Sequence, residues 1–231
     1  MSDLLVIGNK SYEKFEIDRI IDSFDYNVRC NLGFPGNNNG TKADQLALCS
    51  HLYNNLVARP AKNCKEFARK YKHAFIEKES ERLFEDFKDL KPKFNRIFHA
   101  QFRTGLYNKY LLKQGCPHKF TKIPRTGYTV IMENLLKGNS VVVTNFSIEL
   151  GEERVSFYTK RGTDSVCHSA RDEVGILRWL HQKKKVDATM CLLEDVPDIR
   201  FMECGLSPTD FMREKIEGVF LSLKEKQEEI G

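Results

Sequence analysis

Short apolar runs alternate with longer segments in which apolar side chains recur at helical spacing along most of this chain. The short runs, several of them β-branched, predict strands over residues 4–7, 26–31, 140–148, 154–160 and 186–193. The periodic segments predict helices over residues 17–25, 43–57, 126–138, 169–185 and 207–231, the last capped by Ser207. Strands alternating with helices are typical of α/β proteins, so we expect a Rossmann-like, mostly parallel sheet flanked by helices.

The segment from 59 to 120 departs from this alternation. Its aromatic residues lie at helical spacing among charged residues, which predicts two or three amphipathic helices. Residues 59–125 hold 18 Lys and Arg against 7 Asp and Glu, a net charge of +11, whereas the whole chain carries +5. We therefore expect a catalytic α/β domain formed by residues 1–58 and 121–231, with a basic helical insertion or lid at 59–120.

Cysteine usage and hydropathy bear on the compartment. The chain has 231 residues and seven cysteines, none of them in a C-x-x-C pair. An odd number of cysteines without metal-ligand spacing favours reduced thiols. No apolar stretch approaches the ~18 residues of a membrane span. We therefore expect a soluble, cytoplasmic protein that does not bind a membrane and folds without disulfides, a cofactor or a metal.

Two predicted strands end in residues suited to ligand binding, because parallel sheets bind ligands beyond the carboxyl ends of their strands. Gly8 would let the backbone approach a phosphate, and Asn9 follows it. The second strand ends with Arg29 and Asn31, where an asparagine would contact a base or a ribose. The alternative at both places is an ordinary strand end and turn.

Two predicted helices also begin with candidate site residues. Thr126 and Gly127 start one helix, whose free amides would bind an anion, unless Thr126 serves only as the helix cap. His168 precedes the next helix, where an imidazole would act as a general base near neutral pH. The alternative for His168 is a structural role, which single histidines usually have.

In chain order these elements are V-I-G-N, then F-D-x-x-V-R-x-N with G-T-K, then a T-G helix start, then H-S-x-x-x-E-x-x-x-L-x-x-L. This succession resembles the sialyltransferase-like glycosyltransferases of the soluble bacterial or phage type, over residues 4–50 and 121–195. The tripeptide after Asn9, Lys-Ser-Tyr, departs from the Gly-Pro-Ser of bacterial members, which leaves the sugar of the donor, and with it the nucleotide, open.

The resemblance implies roles for individual residues. It assigns the donor nucleotide to Asn9 and Asn31, with Gly8 and Arg29 beside them. It assigns the donor phosphate and carboxylate region to Thr126 and Gly127, with Ser169 following the catalytic histidine. His168 would be the base, and Tyr158 would stabilise the departing phosphate.

The implied activity is that of an inverting, metal-independent glycosyltransferase. Such an enzyme would move a sugar from a CMP-sugar or UDP-sugar to an acceptor hydroxyl. The chain has no D-x-D triplet, the sequence with which metal-dependent glycosyltransferases hold a divalent ion.

The basic segment indicates an acceptor. Lys91, Lys93, Arg96 and Arg103 would contact a polyanion, and interleaved aromatic residues such as Tyr107 would stack on bases. This favours double-stranded DNA as a partner, with a flipped-out hydroxymethylated cytosine as the acceptor in a phage-type modification system. The alternatives are aromatic residues that form the core of the segment, a surface glycan as the acceptor, or a non-catalytic nucleotide- or nucleic-acid-binding module.

Overall fold

A parallel sheet of six strands is the framework of the protein in a computed structural model, which describes residues 4–8, 18–30, 40–42, 44–48, 73–76, 94–97, 100–148, 168–191, 209–212, 214, 215 and 217. The strands are β1 (Leu4–Ile7), β2 (Tyr26–Cys30), β3 (Gln45–Leu48), β4 (His73–Ile76), β5 (Phe94–Ile97) and β6 (Val141–Thr144). The helices assigned in these ranges are α1 (Asp18–Asp22), α2 (Ala100–Lys113), α3 (Thr126–Leu136) and α4 (Ala170–Gln182). None of the helices in these ranges is long and apolar enough to span a membrane.

The strand order is β5-β4-β3-β2-β1-β6, and every neighbouring pair is parallel. Each of the strands β2 to β5 is therefore added beside the one before it, on the same side of β1. The chain then crosses back to place β6 on the free side of β1. Such a reversal of strand order opens a crevice at the carboxyl ends of the two strands that flank it, here β1 and β6.

Strand β1 is buried on both faces, as expected for a central strand of a parallel sheet. Leu4 and Val6 belong to the larger core cluster, which contains side chains of α2, α3 and α4. Leu5 and Ile7 belong to a second cluster, which contains Ile20 of α1 and residues from the C-terminal part of the chain. The alternation of strand side chains thus places two helical layers on opposite faces of the sheet.

Two of the helices that cover the larger cluster, α2 and α3, end where the sequence places glycine. Gly115 follows α2 with a φ of 80°, and Gly138 follows α3 with a φ of 78°. After α3, the amides of Gly138 and Asn139 donate to the carbonyls of Leu135 and Asn134, both at 3.0 Å. This paired arrangement satisfies the last carbonyls of the helix and confirms the predicted end of α3 at Gly138.

The sheet is larger than the sequence pattern predicts. Residues 45–48 form β3 rather than part of a helix, and β4 and β5 lie inside the segment 59–120, which was predicted to be helical. Periodicity alone cannot distinguish a short apolar run of a buried strand from one turn of a buried helix. The helical prediction is therefore wrong at these three places, and an inserted subdomain over 59–120 is not confirmed. Helix α2 agrees with the prediction for the end of that segment.

Two predictions in the C-terminal half also need correction. Of the strand predicted over 186–193, the described residues 186–191 form one bridge, between Asp187 and Val142. The strand stops there because the side chain of Asp187 accepts a hydrogen bond from the amide of Thr189 at 2.9 Å. A helical turn follows at once. The final helix is capped by Thr209, whose hydroxyl accepts from the amide of Met212 at 3.3 Å. Ser207, the predicted cap, lies outside the described residues.

A buried carboxylate joins α2 to α3. Glu133 is 2% exposed, and its Oε1 accepts hydrogen bonds from the hydroxyl of Tyr107 at 2.8 Å and from the guanidinium of Arg103. Burial, and then the charge of Glu133, raise the pKa of Tyr107, so its hydroxyl stays protonated as a donor. Because Tyr107 is fully buried, its predicted stacking on bases is wrong. The guanidinium of Arg103, a predicted contact to DNA, forms an ion pair with Glu133, and binding of DNA by Arg103 stays a prediction.

We predict that Tyr107→Phe lowers the free energy of unfolding by about 1.5–3 kcal/mol, because it removes a hydrogen bond to a buried charged acceptor. Urea denaturation measures the loss. The matched control is Tyr110→Phe, at a partly buried ring on the same helix whose hydroxyl has no hydrogen-bond partner among the described residues. The control should change the free energy of unfolding by less than about 0.5 kcal/mol. Equal effects of the two substitutions would contradict this account of Glu133.

Candidate functional site

The reversal of strand order brings the ends of β1 and β6 into direct contact. The amide of Gly8 donates to the carbonyl of Thr144 at 2.8 Å. A Cβ atom at residue 8 would overlap the carbonyl oxygen of Asn145 and would lie 2.9 Å from its carbonyl carbon. Asn145 itself turns the chain with a φ of 62°. Gly8 is therefore needed so that the segment after β6 can lie directly against the end of β1.

The start of α3 lies at the same edge of the sheet. A Cβ atom at Gly127 would lie 2.5 and 2.7 Å from two ring atoms of Phe146 and 3.6 Å from the Sγ atom of Cys30. Cys30 is the last residue of β2, and Phe146 follows β6. Phe146 also packs edge-on against Tyr128 of α3, with ring centroids 5.5 Å apart. Three predicted parts of the site therefore meet here: the ends of β1 and β2, and the beginning of α3.

Helix α3 begins without a side-chain cap from its N-cap residue. Arg125 is the N-cap residue, with extended backbone angles and no capping hydrogen bond from its side chain. Thr126 is the first helical residue rather than the cap, so the capping interpretation of Thr126 is wrong. The first amides of a helix have no acceptor within the helix and carry its positive dipole end, and such a start is suited to an anion.

His168 is held in a defined orientation by a backbone carbonyl. Its Nδ1 lies 2.7 Å from the carbonyl oxygen of Ile123. A carbonyl oxygen accepts only, so Nδ1 must donate and carry a proton. In the neutral ring this leaves the lone pair on Nε2, which is the tautomer that a general base needs. Ile123 is the third residue before Thr126, so one loop connects His168 to the start of α3.

That loop, residues 121–125, is attached to the first turn of α4 by two carboxylates. Asp172 accepts from the amide of Thr121 at 2.8 Å and from its hydroxyl. Glu173 is 1% exposed and accepts from the amide of Arg125 at 2.7 Å, and it forms an ion pair with the guanidinium of Arg125. The charge of the buried carboxylate is thus balanced within the loop.

Two predicted donor-binding residues have structural contacts instead. The hydroxyl of Ser169 caps α4 by accepting from the amide of Asp172 at 3.3 Å. Arg29 is fully buried in β2, and its guanidinium donates to the carbonyls of Lys42 at 2.8 Å and Gly40 at 3.0 Å. These contacts hold the chain that leads into β3. Binding of a donor by Ser169 and Arg29 stays a prediction to which these contacts lend no support.

The other predicted site residues cannot be placed. Outside the described residues lie Asn9, Asn31, Tyr158, Lys91 and Lys93. Arg96 lies in β5, and only its backbone is described. Their roles stay predictions.

Sequence reasoning missed the residues that hold the site together. Glu173 is the glutamate of the H-S-x-x-x-E pattern, but no partner was assigned to it, because its partner Arg125 lies 48 positions away. Phe146 lies in a segment predicted simply as a strand. The sequence contains one signal for Glu173: it lies one turn into the predicted helix that follows His168. That position indicates that the two residues act in the same site.

We predict opposite effects for two glycine-to-alanine substitutions. Gly8→Ala should lower the free energy of unfolding by about 1–3 kcal/mol, because the added methyl group would displace the backbone at Asn145. Gly105→Ala, inside α2 with open space around the added methyl group, should raise it by about 1 kcal/mol. Chemical denaturation of both variants tests the close contact between the ends of β1 and β6. A Gly8→Ala variant as stable as the wild type would rule that contact out.

The fold matches that of known enzymes, although no family model and no curated protein sequence matches the chain. The sialyltransferase CstII from Campylobacter jejuni, in complex with the substrate analogue CMP-3FNeuAc, superposes with a TM-score of 0.54 at 14% identity, covering 84% of each chain. A CST-II variant in complex with CMP gives a TM-score of 0.51 at 14% identity, covering 84% of this chain and 83% of that one.

The monofunctional alpha-2,3-sialyltransferase Cst-I from Campylobacter jejuni gives a TM-score of 0.51 at 15% identity, covering 81% of this chain and 74% of that one. At such low identity the likeness establishes the fold. The protein has the α/β fold of the Campylobacter sialyltransferases.

Proposed function

We propose that the protein is an inverting glycosyltransferase that moves a sugar from a CMP-sugar to an acceptor hydroxyl. The observation that carries the proposal is the 2.7 Å contact between Nδ1 of His168 and the carbonyl of Ile123. It prepares Nε2 as a base, and the same loop continues into the start of α3, which we propose as the anion site. A base and an anion site on one loop are the two groups that transfer from a sugar nucleotide requires.

The proposed step is a single displacement at the anomeric carbon. Nε2 of His168 takes the proton of the acceptor hydroxyl while that oxygen forms its bond to the anomeric carbon. The bond between the anomeric carbon and the phosphate oxygen breaks on the opposite face, and its electron pair leaves with CMP. The configuration at the anomeric carbon is therefore inverted.

The charge that develops on the departing phosphate needs stabilisation. The amides at the start of α3, around Thr126 and Gly127, are suited to this role because they are fixed before the reaction begins. Tyr158 would add a hydroxyl donor, as the sequence predicts. With these donors the proposed step needs no divalent ion.

CMP is proposed as the leaving group rather than UDP. The support is the likeness of fold to sialyltransferases whose structures contain CMP or a CMP-linked analogue. Fold alone does not give function, so the nucleotide has to be tested directly.

For the acceptor, the proposal goes no further than a hydroxyl group. The hydroxymethylated cytosine of DNA is supported by the net charge of residues 59–125, but part of that charge, on Arg103, is already paired with Glu133. A glycan is the other candidate for the acceptor. Assays should therefore supply both kinds of acceptor, together with water, which accepts the sugar in donor hydrolysis.

Binding of CMP should stabilise the folded protein. At about 100 times its dissociation constant, a ligand that binds only the folded state adds roughly 2.7 kcal/mol. For a chain of this length we expect a rise in Tm on the order of 5–10 °C. Calorimetric scans with CMP, UDP and GDP at equal concentration measure the effect. Stabilisation by UDP alone would change the donor, and no response to any of the three would contradict the proposal.

Replacing His168 should remove turnover but not binding. We predict that His168→Ala lowers the rate of CMP release about 10²- to 10⁴-fold, the usual contribution of a general base. The affinity for CMP, measured by titration calorimetry, should change by less than about 3-fold. His118→Ala is the matched control, because the ring of His118 packs on Gly175 of α4. If His168→Ala turned over at the wild-type rate, His168 would not be the base.

A further inference from the structure

We propose that Glu173 is a positioning residue of the candidate site, which acts through Arg125 on both His168 and the start of α3. This proposal rests on the proposed function, because it takes His168 as the base and the start of α3 as the anion site. Glu173 does not touch the reactants in this scheme. It holds the loop that orients the groups that do.

The contacts of Glu173 fix the last residue of the loop in two ways. Oε1 accepts from the backbone amide of Arg125 at 2.7 Å, and Oε2 pairs with the guanidinium of the same residue. The backbone contact is the informative one, because Arg125 is the N-cap residue of α3. A carboxylate that binds this amide sets the direction in which the chain enters the helix.

A second carboxylate on the same turn of α4 holds the other end of the loop. Asp172 accepts from the amide of Thr121 at 2.8 Å and from its hydroxyl. Between the two anchors lies Ile123, whose carbonyl accepts from Nδ1 of His168. His168 in turn stands just before α4. The histidine, the carbonyl that selects its tautomer and both anchors therefore belong to one closed set of contacts.

Burial makes the Glu173 anchor strong and specific. Glu173 is 1% exposed, and its carboxylate takes both an opposite charge and hydrogen bonds from Arg125. Loss of the carboxylate would remove both of these contacts of Arg125 together. The carbonyl of Ile123, two residues away, would then no longer be held against His168. A shift of about 1 Å at a reacting group costs on the order of 100-fold in rate.

The tautomer of His168 distinguishes a positioning role of Glu173 from a purely structural one. If Glu173 only stabilised the fold, its replacement would leave this tautomer unchanged. In ¹⁵N NMR spectra, the wild type should show Nδ1 protonated and Nε2 unprotonated, with the signal assigned by its loss in His168→Ala. Glu173→Ala should replace it by the mixed tautomers of a free imidazole and should lower the rate of CMP release about 100-fold. Glu173→Gln keeps an acceptor for the Arg125 amide, so its loss in rate should be smaller. Glu214→Gln, an exposed carboxylate on the final helix, should change neither quantity.

Each result bears on the proposal. A folded Glu173→Ala protein with the wild-type tautomer would overturn it. If Glu173→Ala does not fold, Thr121→Ala removes an exposed hydroxyl contact at the other anchor and should change the tautomer and the rate in the same direction; no change would again overturn the proposal. Loss of the tautomer in Glu173→Ala, in a protein whose wild type releases no CMP from any CMP-sugar, would support the positioning contact and reject the proposed function.

Discussion

The close contact between the backbone after β1 and the backbone after β6 is the constraint on which the candidate site depends. Parallel strands end at one edge of a sheet, but they normally leave a crevice where the strand order reverses. Here Gly8 has no side chain, so the backbone of Asn145 can lie directly against the end of β1. The ring of Phe146, the next residue, packs against Gly127. The start of α3 therefore lies beside the ends of β1 and β2. A side chain at residue 8 would separate these parts.

The sequence predicts much of the fold, and the reasons differ from element to element. Strand β1 and helices α3 and α4 are predictable because their apolar residues form a short run in one case and long periodic stretches in the others. Strands β4 and β5 are as short as β1, but they are not predictable, since they lie among charged residues in a segment whose aromatic residues recur at helical spacing. The turn after Asp187 depends on one side chain that competes with strand pairing, which no periodicity reveals.

Candidate site residues can be predicted when the type of residue indicates its role. They cannot be predicted when the role depends on a contact with a distant part of the chain. Gly8, Gly127 and His168 could be selected from the sequence because a glycine lets the backbone approach closely at the end of a strand or the start of a helix, and an imidazole can accept a proton near neutral pH. The structural work of Arg29 could not be foreseen, because its partners are carbonyls of a distant loop. The pairing of Glu173 with Arg125 depends in the same way on how α4 packs beside the loop before α3.

Helix α3 is unusual in that nearly its whole length is buried, from Thr126 to Leu135. The helix whose first amides we propose as the anion site is therefore also part of the hydrophobic core. Its N-terminus cannot shift toward an incoming anion without disturbing the packing of the sheet. For the proposed anion site this means a small reorganisation energy, because the dipoles of α3 would be oriented during folding rather than during binding. Adaptation to different ligands must then come from the parts of the chain that surround this fixed helix.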